Sequence, residues 1–154
     1  MRRSEKEITE LAEIEKIFRA GKTCQLAFAA EPVPYLVTLN YGYYDGALYL
    51  HAAAAGRKID LIRKNPHVAF TVALDHGLIT GEQACDWSVR FQSIVGSGEI
   101  TLLESAEEKR QGLDRLMAHY GDEDFSYPDR MIQATAVFKL VIDEMTAKQS
   151  NMDV

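Results

Sequence analysis

A short segment near the middle of the sequence has the residue types and spacing to bind an anion. Arg57 and Lys58 fall in the first turn of a short predicted helix, directly after the small-residue run at 52–56. Cations at that end oppose the helix dipole, whereas a bound anion would meet free N–H groups, the positive helix end and both side chains. Small residues just upstream, including Ala52 and Ala53, let a ligand approach the backbone closely. The segment therefore predicts an anion site, although an Arg-Lys pair considered alone is usually solvated.

The Asp-Gly dipeptide at positions 45 and 46 predicts a two-residue hairpin turn between two strands rich in aromatic and aliphatic residues. The turn fixes the register of both strands, because each residue before it faces one after it. The predicted pairs are Tyr44 with Ala47, Gly42 with Tyr49, and Asn40 with His51.

The predicted register gives the hairpin two different faces. The apolar face, which we expect to line a barrel interior, carries Val37, Leu39, Tyr41, Tyr43, Leu48 and Leu50. The outer face carries Thr38, Asn40, Gly42, Tyr44, Tyr49 and His51. A glycine notch with an amide opposite an imidazole is unusual for a solvent face, and His51 has a pKa range suited to proton transfer. A lone histidine on a strand is usually structural, but beside a cation pair it predicts a site that a partner subunit covers.

Length and composition limit the remaining classes. The chain has 154 residues, a formal net charge of −6 and two cysteines. These values predict one globular domain over residues 1–154, and the acidic balance argues against nucleic-acid binding. We find no apolar run long enough to span a membrane and no signal peptide, so we expect a cytoplasmic protein without membrane contact. Cys24 and Cys85 are expected to be reduced and buried. The sequence has no phosphate-binding loop, dinucleotide-binding glycine motif or metal-ligand spacing.

Strands dominate the remaining pattern and are joined by hairpins rather than by helical crossovers. Ser4 to Glu7 reads as a capping box that opens a first helix, with Ile8 on its apolar stripe and Gly21 at its end. A second capping box, at Ser105 and Glu108, opens another helix. Further predictions are a helix from 57 to 64, strands at 67–74 and 89–104, a loop at 75–84, a short helix near 129–133 and a final strand from 134. The fold class is therefore mainly β, an antiparallel barrel with peripheral helices.

The segment PYLVTLNYGYYDGALYLHAAAAGRKIDLIRKNPHVAFTV resembles the FMN-binding split barrels related to pyridoxamine 5′-phosphate oxidase, and most of all their nitroimidazole-resistance branch. MRRSEKEI, ACDWSVRFQSIVGSGEI, EEKRQGLDRLMAHYG and DEMTAK are similar to the same branch, so the resemblance covers nearly the whole chain. It implies a Greek-key split β-barrel that forms a homodimer, with FMN at the subunit interface and a small-molecule substrate.

The resemblance also implies roles for individual residues. Arg57 and Lys58 match the cations that hold the FMN phosphate, and Ser93 matches the segment that completes the phosphate site. His51 matches a histidine beside the flavin and substrate, where it would donate a proton or contact the substrate. The strand that lies along the flavin ring, largely through its backbone, matches Val37, Thr38, Leu39 and Asn40; Ala52 and Ala53 complete the expected cofactor contacts.

Two positions depart from the family pattern. Gln92 replaces a frequent arginine, and Ala147 replaces the glycine that precedes Lys148. The expected function is an FMN-dependent oxidoreductase, with nitroaromatic reduction as one activity. The alternatives are a barrel that binds or senses flavin or haem without catalysis, and a dimeric barrel that has lost its cofactor.

Overall fold

The structure, a computed structural model, describes residues 4–152, so residues 1–3 and 153–154 of the predicted domain lie outside the described range. A 3-10 turn at Ser4–Lys6 precedes the main elements. In chain order these are β1 (Glu7–Ile8), α1 (Leu11–Ala20), β2 (Thr23–Phe28), β3 (Tyr35–Asn40), β4 (Gly42–Tyr44), β5 (Ala47–Ala53), α2 (Arg57–Lys64), β6 (His67–Ile79), β7 (Ser88–Leu103), α3 (Ala106–Met117), α4 (Asp129–Ala134) and β8 (Thr135–Ser150).

The strands form one antiparallel sheet in the order β3-β2-β6-β7-β8-β5-β4, and β1 adds to β8. Neighbours that are far apart in sequence, such as β2 with β6 and β5 with β8, give the Greek-key connections. The helices lie outside this sheet, with the buried side of α1 packed onto the core. The predicted class, mainly β and antiparallel with peripheral helices, is confirmed.

Tyr41 joins the two ends of the sheet. It is the single residue between β3 and β4, which are the first and last strands in the sheet order. The chain itself therefore brings the two edges together, and the sheet curls around its apolar side. Tyr41 is fully buried, and its hydroxyl donates to the Phe18 carbonyl oxygen at 2.6 Å. Its backbone N–H donates to the Tyr120 hydroxyl at 2.9 Å.

The hairpin register is correct near the turn and wrong beyond Tyr41. Residues 45 and 46 both have positive φ angles, 47° and 72°, as the predicted turn requires. Gly42 pairs with Tyr49 as predicted. Asn40, however, pairs with Thr23 of β2, and His51 pairs with Val137 of β8, so the predicted amide–imidazole pair does not form. The reason is competition: six residues of β3 pair with β2, whose alternate side chains fill the core.

The first helix begins later than predicted. Its first residue is Leu11, after Glu10 as the N-cap, so the predicted capping box at residues 4–7 does not open it. Ile8 lies instead in β1, where it pairs with Ala147, because an apolar residue beside the β8 edge gains a sheet partner. The predicted end at Gly21 is confirmed, since its N–H donates to the Ile17 carbonyl oxygen at 3.0 Å.

Most of the later elements agree with the prediction. Ser105 and Glu108 form the reciprocal capping box of α3, and α2 ends before Asn65. β7 is one strand of 16 residues whose pairing with β8 shifts between Ser97 and Gly98. The predicted loop at 75–84 is wrong in its first half, because β6 continues to residue 79.

The two cysteines have different environments. Cys24 is buried, and burial raises the pKa of its thiol to about 12, which makes it an inert core residue. Cys85 is exposed in the turn between β6 and β7, so the prediction that both are buried is wrong for this one. The apolar neighbours of Cys85 in the sequence did not reveal that the turn projects from the barrel.

His119 is expected to make stability depend on pH. Burial lowers its pKa, although its Nε2 lies 2.6 Å from the Gly21 carbonyl oxygen. The unfolded chain, whose histidines titrate near about 6.5, then binds more protons than the folded chain. The free energy of unfolding should therefore fall as the pH drops below about 6.5 and level off below the folded pKa. Urea titrations at several pH values measure this, and an undiminished fall in His119→Gln would contradict the assignment.

Candidate functional site

A split in the barrel separates two strand edges that have no partner among residues 4–152. β3 pairs with β2 on one side only, because it ends the sheet order. β5 pairs with β4 only as far as Tyr49, so residues 50–53 pair with β8 alone. Both edges leave backbone N–H and C=O groups unpaired, Tyr41 connects their strands, and we call the gap between these two edges the crevice. The predicted contact strand, Val37 to Asn40, forms one wall, and His51, Ala52 and Ala53 lie in the other.

The start of α2 closes one end of this crevice. The Arg57 guanidinium carbon lies 4.7 Å from the centroid of the Tyr35 ring, so the first residue of α2 meets the first residue of β3. Gly56 caps the helix with φ of 122°, a conformation that glycine adopts without strain. Unlike α3, α2 has no side chain that accepts from its first N–H groups. The N–H groups of Arg57 and Lys58 therefore remain available to an anion, whereas that of Ile59 already donates to the Gly56 carbonyl oxygen.

Lys58 and His51 are electrostatically coupled beside this helix end. Lys58 is half-buried, and burial lowers its pKa. Burial also lowers the pKa of His51, and the Lys58 charge adds to that effect. His51 is therefore mainly a neutral imidazole at pH 7. Adding an anion would favour the charged forms of both groups.

The His51 ring carries an unpaired atom. Its Nδ1 is buried and has no hydrogen-bond partner among the described residues. A buried polar atom left without a partner costs about 1–3 kcal/mol, so such atoms call for a group that satisfies them. Within the described residues, the Nδ1 of His51 is thus a buried polar atom of this strand that lacks a hydrogen-bond partner.

Ser93 is not brought to this site by a single chain. It is buried in β7, between Ala73 of β6 and Lys148 of β8. His51 pairs with Val137 of β8, 11 positions before Lys148, which corresponds to roughly 35 Å along a strand. Ser93 therefore joins the other predicted residues only if a second copy of the chain supplies it.

The two departures from the family pattern have local explanations. Gln92 is held by its neighbours, because its Oε1 lies 3.0 Å from His76 Nε2 and its Nε2 donates to Gln149 at 3.4 Å. Ala147 is buried between β1 and β7, where its methyl group joins the core. Lys148 is exposed, and its Nζ lies 5.3 Å from the Phe91 ring centroid.

Helix α3 covers part of the outer face that was expected to need a partner. The predicted notch at Gly42 is filled by α3, since a Cβ there would come within 2.5 Å of the Leu116 Cα. Tyr44 stacks on Arg115, with the guanidinium carbon 3.6 Å from the ring centroid. Tyr44 and Tyr49 line a cleft of about 560 Å³ against α3. The notch therefore holds a helix rather than a ligand, and both tyrosines act as packing residues.

Gly42→Ala is expected to lower the free energy of unfolding by about 1–3 kcal/mol, because the added methyl group meets backbone atoms that cannot move aside independently. Chemical denaturation measures the change. Thr101→Ala, an exposed position on β7, is the control and should change stability by no more than about 0.5 kcal/mol. Equal stability of Gly42→Ala and the unmodified protein would show that α3 does not press on β4.

Tyr35 is the site residue that the sequence did not indicate. It lies on the same side of β3 as Val37 and Leu39, packs against the core, and holds Arg57. Because Tyr35 lies two residues before Val37 in a strand, the alternating pattern does predict that both side chains lie on the same face. No pattern in the sequence indicates that a residue of α2 stacks on it.

The pyridoxamine 5′-phosphate oxidase family matches residues 10–149 of this sequence. The chain belongs to this family. No curated protein sequence matches it significantly. Within the part of the chain that the structure describes, no helix is both long and apolar enough to cross a membrane.

Several solved structures share the fold. A Bacteroides thetaiotaomicron protein, provisionally assigned to 5-nitroimidazole antibiotic resistance, is 35% identical; the alignment covers 93% of this chain and 86% of that one, with a TM-score of 0.83. The flavocytochrome Anf3 of Azotobacter vinelandii is 20% identical over 98% and 72% of the chains, with a TM-score of 0.86. An FAD- and haem-binding protein of Mycobacterium smegmatis is 18% identical over 95% and 74%, with a TM-score of 0.85. The split-barrel architecture expected for the pyridoxamine 5′-phosphate oxidase family is thus confirmed.

Proposed function

We propose that the protein is an FMN-dependent oxidoreductase that acts on a small molecule. The observation that carries this proposal is the crevice: it combines free strand edges, an uncapped cationic helix start and the unpartnered Nδ1 of His51. Membership of the pyridoxamine 5′-phosphate oxidase family supports a flavin ligand. The similarity to the Bacteroides protein supports nitroaromatic compounds as the first substrates to test.

The residues present fit a flavin with a terminal phosphate. Arg57, Lys58 and the first N–H groups of α2 would hold the phosphate, since they supply two cations and free donors at one place. The edge of β3 from Val37 to Asn40 has backbone groups free to pair with the polar rim of the ring system. Ala52 and Ala53 place no bulky side chain in its way. FMN has one phosphate and needs one such cluster.

The mechanism divides between cofactor and protein. A bound flavin supplies two-electron transfer, while the protein positions it, tunes its surroundings and excludes water. The cations and β3 would fix the position of the ring. His51 would hold or donate a proton at its ring nitrogen, a role that imidazoles commonly take in proteins, and burial together with the Lys58 charge lowers its pKa.

We further propose that the active form is a homodimer with the cofactor at the subunit interface. Leu36 on β3 is 63% exposed and Val95 on β7 is 51% exposed, which leaves apolar side chains on the outside of the sheet. A groove of about 410 Å³ runs along β6–β8 beside Val95. A second copy seated on these surfaces would also supply Ser93. The free thiols suit a reducing compartment, so we place the protein in the cytoplasm.

An absorption spectrum of the purified protein, with FMN added if needed, tests the proposal. We expect a flavin spectrum that bleaches with a chemical reductant and returns when a nitroaromatic compound is added. A flavin that never reoxidises faster than free FMN would support storage or sensing instead of catalysis. A Soret band would show that the protein binds haem instead of FMN. If the protein binds no chromophore at all, it would be a barrel that has lost its cofactor.

A further inference from the structure

We propose that Tyr35 is a positioning residue that orients Arg57 for phosphate and so makes the site select FMN over flavins that lack a phosphate. This inference rests on the proposed function and adds to it a residue that determines specificity. Its basis is a series of contacts from the core of the barrel to the first residue of β3 and from there to the first residue of α2.

This series of contacts begins at a buried core residue. Phe28 is 1% exposed and belongs to the core, and its ring centroid lies 5.9 Å from that of Tyr35. Tyr35 is half-buried and packs against the same core. The Tyr35 ring therefore rests on closely packed core side chains, which restrict the rotamers open to it on that side.

Arg57 uses this ring as a platform. Its guanidinium carbon lies 4.7 Å from the Tyr35 ring centroid, within the range of a cation–π contact. Arg57 is an exposed side chain, and none of the ion pairs found among the described residues includes it. A cation–π contact uses no hydrogen bond, so the guanidinium N–H groups of Arg57 stay available for a bidentate contact with an anion.

The contact between Arg57 and Tyr35 also lowers the entropy that Arg57 loses when it binds a phosphate. An arginine side chain that is free in solvent loses rotamer freedom when it captures a phosphate, which offsets part of the binding energy. A guanidinium that already rests on a fixed ring loses less. Tyr35 contacts Arg57, and Arg57 contacts only the phosphate of the cofactor. The contact therefore raises the affinity for FMN and does not change the affinity for riboflavin, which has no phosphate.

The test compares the dissociation constants of FMN and riboflavin for Tyr35→Leu, Tyr35→Phe and the unmodified protein, measured by quenching of flavin fluorescence. Tyr35→Leu should weaken FMN binding by roughly 3- to 10-fold, the range of a partly exposed cation–π contact, and leave riboflavin binding unchanged. Tyr35→Phe keeps the ring and should retain the affinity for FMN. In an Arg57→Ala background, Tyr35→Leu should have no further effect.

Tyr44→Leu is the matched control, because it removes a second tyrosine–arginine stack, with Arg115, at the opposite edge of the sheet order. It should leave both dissociation constants unchanged. Equal weakening of FMN and riboflavin in Tyr35→Leu would show a general structural role and overturn the proposal, as would FMN binding that does not change. If the unmodified protein binds neither flavin, the proposed function itself fails.

Discussion

The double variant Arg57→Ala/Lys58→Ala is expected to lose nearly all of its affinity for FMN while keeping its fold. A hydrogen bond to a charged group contributes about 1.5–3 kcal/mol, so each single variant should raise the dissociation constant by about 10- to 150-fold. The fold should survive, because the buried side of α2 consists of Ile59 and Ile62, which remain. Fluorescence titration with FMN measures the loss, and far-UV circular dichroism checks the fold.

The matched control for this variant lies at the other end of the same helix. Arg63→Ala/Lys64→Ala removes the same two charges from the last turn of α2 and should bind FMN as the unmodified protein does. A general effect of net charge would weaken both variants alike. Riboflavin affinity should be the same in all three proteins. Unchanged FMN affinity in Arg57→Ala/Lys58→Ala would contradict the assignment of the phosphate site to the start of α2.

His51→Ala is expected to retain FMN and to lose turnover by about 10²- to 10⁴-fold, the usual contribution of a positioned proton donor. The variant should fold well, since the replacement removes a buried Nδ1 that has no partner in the described chain. The measurement is a single turnover in which chemically reduced protein is mixed with a nitroaromatic compound. This design avoids any assumption about the physiological electron donor.

The pH dependence separates proton donation from simple contact. If His51 donates its proton, the single-turnover rate of the unmodified protein rises as the pH falls below about 6.5, while the His51→Ala rate stays level. The pKa of His51 is lowered by burial and by Lys58, so the rise should begin on the acidic side of that value. A folded His51→Ala protein that binds no flavin would instead assign His51 to cofactor binding.

Features that a few neighbouring residues encode could be predicted from the sequence. The capping box at Ser105 and Glu108 and the tight turn at 45–46 depend on contacts within four residues, and both form. The short helix that follows the small-residue run also forms, which places Arg57 and Lys58 at its start. The position of both cations at the start of a helix could therefore be predicted from local spacing.

Features that depend on competition between distant segments could not be predicted in this way. The turn alone would extend the hairpin to Asn40 and His51, but β3 pairs with β2 instead, which leaves the crevice between β3 and β5. Likewise Ile8 leaves the predicted helix because β8, some 140 residues later, offers a sheet edge. The contact between Tyr35 and Arg57 follows from that same rearrangement, because it spans the split.

The position of β8 has a consequence for how the protein is made. β8 follows β5 and β7 in the chain, yet it fills the place between them and also pairs with β1. During translation, β5 and β7 are therefore made before the strand that pairs with one of their edges. Unpaired strand edges of this kind promote misfolding and aggregation. Contacts of such long sequence separation also fold slowly. The strand that carries His51 acquires its partner strand only after β8 has emerged, so we expect the proposed cofactor to bind after translation of β8 and not while the crevice residues are being made.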